Sequence, residues 1–150
     1  MKYRLLSAAS AALLLTAAGD APAAVAPPLT VNLLLTGLRS SAGEVRVCVW
    51  HQGASFPNCR KGQDVRMMHA PAAAEVRIAV DGLAPGSYAV SVIHDENGNR
   101  QLDKSFVGIP TEGIGFSRNP RVTFGPPSFE KARFDAGTEP EQTIRMKYFL

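Results

Sequence analysis

The sequence predicts an all-β protein, an antiparallel two-sheet β-sandwich of about seven short strands. Three observations lead there. Val45, Val47 and Val49 alternate with Glu44, Arg46 and Cys48, and Val76, Ile78 and Val80 alternate with Glu75, Arg77 and Ala79. That period of two sets one face of a strand against a core and turns the other away from it. Turn formers separate the runs, at Thr36-Gly37, Asp81-Gly82, Pro85-Gly86, Asn97-Gly98, Gly125-Pro126-Pro127 and Ala136-Gly137. After Ala18 no segment carries a long helical apolar stripe.

In chain order, the runs of apolar, β-branched and aromatic residues fall at Leu29 to Leu35, Val45 to Val49, Asp64 to Met68, Val76 to Val80, Ser87 to Ile93 and Thr143 to Phe149. Weaker strand candidates stand at Val122 to Phe124 and Ala132 to Phe134, and Ala70 to Ala74 allows a short helical turn. The predicted sandwich domain therefore occupies residues 29–150. Ala21 to Pro28 is rich in Ala and Pro and lacks an apolar period, so residues 20–28 read as a flexible leader.

The chain opens with Lys2 and Arg4, followed by an apolar run from Leu5 to Ala18. This is the pattern of a secretory signal peptide over residues 1–19, with small residues for cleavage near 19–23. The run is shorter than the ~20 residues of a membrane span, so the mature protein is expected not to cross a membrane. Without Lys2 and Arg4 the remaining chain is close to neutral, and its basic residues are scattered. Nucleic-acid binding is therefore not expected. A periplasmic or extracellular location follows from export.

Both cysteines, Cys48 and Cys59, lie in the exported part. In an oxidising compartment that pair reads as a disulfide closing a short loop, worth about 3 kcal/mol by the chain-entropy estimate. The spacing is not that of a C-x-x-C redox motif.

The most distinctive polar cluster runs from His94 to Asp103. With Asp95 taken as the first position of an EF-type loop, Asp95, Asn97, Asn99 and Asp103 fall at the first, third, fifth and ninth, a candidate Ca²⁺ set. The pattern is incomplete, since Arg100 and Phe106 stand where such a loop has Gly and Glu. The competing reading is an Asx-rich turn that needs no metal. A second feature, Gly108 to Ser117, reads as an irregular loop bearing apolar side chains. It serves either as a cover or as a binding loop through Glu112, Phe116 and Ser117. No catalytic set is recognisable: Ser117 lacks the context of a nucleophile elbow, and His51, His69 and His94 form no metalloprotease motif.

The run Gly82-Leu83-Ala84-Pro85-Gly86-Ser87-Tyr88-Ala89-Val90, then His94 to Asn99 with Leu102-Asp103, then Gly108 to Gly113, Gly115-Phe116-Ser117 and Pro126-Pro127-Ser128-Phe129, resembles domain-of-unknown-function family 2141 of exported bacterial proteins. The resemblance implies an immunoglobulin-like or prealbumin-like sandwich in the bacterial envelope and supplies no activity. The expected function is thus a non-enzymatic envelope module that binds a protein, peptide or glycan through one end of the sandwich, with Ca²⁺ as a candidate stabiliser. The alternatives are a hydrolase with a site built from His94, Glu96, Glu112 and Ser117, and a carrier of a small apolar ligand between the sheets.

Overall fold

Strand β1 (Leu29–Thr36) shows how the alternation works: Val31, Leu33 and Leu35 are buried, while Thr30 and Asn32 face solvent. In this computed structural model, residues 26–51, 53, 55–60, 65–123 and 125–150 are described. The signal-peptide reading for residues 1–19, most of the leader, and the predicted strand residues Asp64 and Phe124 lie outside them.

Seven further strands follow: β2 (Glu44–Trp50), β3 (Val65–Pro71), β4 (Glu75–Leu83), β5 (Ser87–Asp95), β6 (Gly113–Phe116), β7 (Phe134–Asp135) and β8 (Glu141–Arg145). They form two sheets, β4-β1-β8 and β3-β2-β5-β6, with β7 pairing the start of β5. Val31, Leu33, Leu35, Val76, Val80 and Ile144 of the first sheet meet Val45, Val47, Val49, Tyr88, Val90 and Val92 of the second in one core. This is the expected all-β sandwich.

One strand pair departs from the antiparallel expectation: β8 runs parallel to β1, with Leu35 opposite Ile144. Parallel neighbours require a long connection, and here almost the whole domain lies between the two strands. Beyond β8 the chain leaves its sheet, and Lys147 exchanges two backbone hydrogen bonds with Ile114 of β6, at 2.8 and 2.9 Å. This edge of the sandwich is stitched across, whereas β3 and β4 end the opposite edges.

Four local expectations are corrected. Ala70 to Ala74 makes no helical turn, because β3 continues to Pro71 and β4 starts at Glu75. Of Ala132 to Phe134 only Phe134 is strand, the first residue of β7, because the four-residue helix α1 (Phe129–Ala132) ends just before it. Val122 and Thr123 carry no strand. The end of the supposed irregular loop is the buried strand β6.

The buried β6 and the helix α1 share a physical cause. Strand β5 is buried on both faces, so the second sheet needs a cover on its outer side. Ala89, Ile114, Phe116 and Ala132 form that cover's core, with Phe56 and Phe129 packed on them. The Cys48–Cys59 disulfide is present and fastens the loop carrying Phe56 to β2. The Phe56 ring sits 5.7 to 6.0 Å, centre to centre, from Trp50, Phe116 and Phe129. Such spacing is typical of aromatic packing. The molecule therefore has a third layer of loops over one sheet.

Candidate functional site

Strand β5 ends in His94 and Asp95, whose side chains leave opposite faces, and the candidate site is built around that end. Asp95 is fully buried. One carboxylate oxygen accepts the Asn99 N–H at 3.1 Å and the other accepts the Arg100 N–H at 2.7 Å, which bends residues 96–100 into a tight loop. Backbone N–H groups that a loop would leave unpaired are thereby satisfied. Gly43 makes room for this bend: its φ is +69°, and a Cβ there would lie 1.9 Å from the Asp95 carbonyl oxygen.

Glu112 is the second buried carboxylate. Its two oxygens accept the N–H groups of Glu96 (3.1 Å) and Asp103 (3.0 Å), tying both ends of the loop to the start of β6. Burial pushes its carboxyl above the usual carboxylate range, against the pull of those two N–H donors. Asp103 accepts side-chain amide N–H bonds from Asn97 (2.7 Å) and Asn99 (3.0 Å). The side-chain Oδ1 atoms of Asn97 and Asn99 accept the backbone N–H groups of Asn99 and Gln101.

The four residues of the candidate Ca²⁺ set thus share one loop, with their oxygens already engaged by N–H donors. Among the described residues no cluster of three or more His, Cys, Asp or Glu side chains is placed to hold a metal. A cation on this loop would have to displace the amide groups from Asp103.

On the other face, His94 is fully buried, with Nε2 2.8 Å from the Ala42 carbonyl and Nδ1 2.7 Å from the Tyr148 hydroxyl. A carbonyl only accepts, so Nε2 carries a hydrogen. With the ring neutral, Nδ1 accepts the Tyr148 hydroxyl hydrogen. Burial raises the Tyr148 phenol, which keeps that donor protonated. Gly113 lies opposite His94 in the β5–β6 ladder, and a Cβ on it would stand 2.5 Å from the Tyr148 ring.

Arg39 lies over the Tyr148 ring at 4.5 Å. It grips Glu96 through Nε and Nη2 and donates to the carbonyls of Thr111 (2.9 Å) and Leu150 (2.7 Å). This hydrogen bond to Glu96 raises the guanidinium further and lowers the Glu96 carboxyl, which Ser40 Oγ also donates to at 2.8 Å.

Glu96 and Glu112 give opposite pH signatures. The stability contributed by Glu96, whose folded value is depressed, is present above about pH 4.5 and lost as pH falls through the lower folded value. Glu112, whose folded value is raised, favours folding most below about pH 4.5, and that contribution is lost as pH rises through its folded value. Melting curves collected from about pH 3 to about pH 7 should therefore lose their acid limb in Glu96→Gln and not in Glu112→Gln. An unchanged acid limb in Glu96→Gln would exclude the ion pair as its source.

The proposed hydrolase residues are only partly gathered. His94, Glu96 and Glu112 share this end, whereas Ser117 accepts the Val90 N–H at 2.9 Å, four residues and about 13 Å back along β5. Ser117 Oγ also donates to the Ala132 carbonyl, latching α1 to the sheet. Ser117 and Phe116 are buried, so neither presents a binding surface; Glu112 is buried as well. The two grooves of note both open to solvent. One, of about 200 Å³, lies over β2 and β3 beside Arg46, Met67, His69 and Arg100. The other, of about 350 Å³, lies at the β3–β4 seam beside His51, Arg66 and Tyr88. A carrier of apolar ligands would need an enclosed chamber between the sheets.

Sequence reasoning missed the feature that extends furthest from this end. Lys104 and Pro110 pair as a β-bridge; within it the Ser105 N–H donates to the Ile109 carbonyl (2.8 Å) and the Gly108 N–H to the Ser105 carbonyl (2.9 Å). The Ile109 N–H also donates to Ser105 Oγ at 3.2 Å. At the tip of this hairpin Phe106 is fully exposed, with Val107 and Ile109 also exposed. The available signal was Phe-Val between Ser105 and Gly108, at the centre of a turn where polar residues or Gly are the rule.

Among the described residues no helix is long and apolar enough to cross a membrane. No curated protein and no solved structure matches the chain. One family does, described as "Uncharacterized protein conserved in bacteria (DUF2141)", over residues 34–145, a span that holds the sandwich from within β1 onward, the carboxylate-tied loop and the hairpin. The chain belongs to this bacterial family.

Proposed function

We propose that this protein is an exported, non-enzymatic binding module that engages a component of the bacterial envelope through the hairpin end of its sandwich. The observation that carries the reading is Phe106, fully exposed at the tip of a hydrogen-bonded hairpin whose base is fixed by buried carboxylates. Exposed apolar groups held in order, rather than collapsed onto the body, mark interaction sites. The chemistry-bearing groups nearby support binding over catalysis, because Asp95, Glu112, His94 and Tyr148 each satisfy another group of the same fold. Export is supported by the basic and apolar opening of the sequence and by the disulfide.

A photoreactive phenylalanine analogue placed at position 106 in the exporting cell tests the reading. Light-dependent adducts are expected at 106 and not at the exposed Ala73. Absence of adducts at 106, 107 and 109 alike overturns it. Calorimetric titration with Ca²⁺ separates two ways of ordering the loop. No heat is expected from oxygens already engaged, and heat abolished by Asp103→Asn would add the ion to the design.

A further inference from the structure

We infer that the Lys104–Pro110 hairpin is a docking finger for an anionic phospholipid surface, into which Phe106 and Val107 insert. The inference rests on the binding-end reading above and names the partner.

Three observations point to lipid. Phe106 and Val107 occupy the centre of the turn closed by the Ser105–Gly108 hydrogen bond, where apolar side chains do nothing for the fold. Gly108 takes a positive φ of 83° with open space around its Cβ position, and Phe106 beside it is fully exposed.

The exposed charged side chains of residues 95–112, Arg100 and Lys104, are cationic, whereas the carboxylates of that segment are buried or half-buried. Lys104 stands at the base of the finger, and exposed Arg100, whose carbonyl accepts a 3.0 Å hydrogen bond from Arg60, lies on the preceding loop. The acidic side chains of the same segment are turned to internal use: Asp95 to Asn99 and Arg100, Glu96 to Arg39 and Ser40, Asp103 to Asn97 and Asn99, and Glu112 to two backbone N–H groups. An apolar tip with a cationic base matches a bilayer whose headgroups are anionic.

The size of the patch separates lipid from protein. A stable protein interface buries about 800 Å² on each partner, far more than three side chains on a hairpin tip supply. A bilayer accepts shallow insertion of a few apolar side chains, helped by nearby cations. Reversible, salt-sensitive attachment is the expected behaviour.

Co-sedimentation of the exported protein with vesicles tests this. Vesicles of phosphatidylglycerol and phosphatidylethanolamine should carry it down, and vesicles of phosphatidylcholine alone should not. Partitioning should fall at least about tenfold in Phe106→Ser/Val107→Ser and several-fold in Lys104→Gln or on raising salt. All three positions are exposed, and unchanged Trp50 emission verifies that the variants fold. No partitioning onto anionic vesicles, equal partitioning of the double Ser variant, or equal partitioning onto phosphatidylcholine overturns the inference. If vesicles fail while position 106 cross-links to a protein in cells, the lipid assignment falls and the binding-end reading stands. If vesicles fail and positions 106, 107 and 109 capture no partner in cells, both fall.

Discussion

Replacing the disulfide by Cys48→Ser/Cys59→Ser should lower stability by about 3 kcal/mol, equivalent to a fall in Tm of roughly 10 °C. Chain entropy accounts for about this much, because the bridge closes a loop across a separation of 11 residues. Loosening of the third layer adds to it. Without the bridge, the loop no longer holds Phe56 against Trp50, Phe116 and Phe129, and the outer face of β5 begins to open. Trp50 is the chain's single tryptophan and is buried, donating from Nε1 to Ser91 Oγ at 3.1 Å. Its emission should therefore move to longer wavelength in the double variant and on reduction. A lowered Tm with unmoved emission would mean that the bridge acts on the unfolded chain alone.

The second large effect is expected from Asp95→Ala, also of about 3 kcal/mol, since each N–H bond to a charged acceptor contributes roughly 1.5 to 3 kcal/mol. The substitution leaves the N–H groups of Asn99 and Arg100 without their acceptor. Water can reach those two exposed residues, which keeps the loss toward the lower end of the range. Asp95→Asn retains one carbonyl oxygen and should lose about half as much. Urea denaturation of the three proteins checks the order. Equal stability of Asp95→Ala and the unmutated protein would show that the loop is held from elsewhere, with Glu112 the first place to look.

The sandwich was legible in the sequence where its strands are half-buried, because half-burial writes a period of two. Val31, Leu33 and Leu35, buried beside exposed Thr30 and Asn32, are a direct example. The pairing of β8 with β1 was not legible, since a parallel neighbour leaves no turn signal between its strands. Strand β6 was hidden for a different reason. Gly113 and Gly115 stand where side chains would collide with Tyr148, Ile144 and Met146, so close packing erased the alternation and mimicked a loop. The Asx-rich segment was visible as a unit, and its spacing suggested a cation. The internal acceptors of its N–H groups depend on Glu112 and on the approach of Gly43, which only the folded chain brings near. Arg39 and Tyr148 joined the site through the sheet-switching tail, a contact between positions 109 residues apart.

Buried carboxylates hold residues 95–112 in order so that an apolar tip stays exposed. Amide hydrogen exchange, followed residue by residue on the purified protein, is the decisive measurement. Slow exchange is expected at Glu96, Asn99, Arg100, Asp103, Ser105 and Gly108, whose N–H groups donate within the segment or to Glu112, beside fast exchange at Phe106 and Val107. Exchange through the whole segment at the rate of an unstructured peptide, while the strands remain protected, would contradict it.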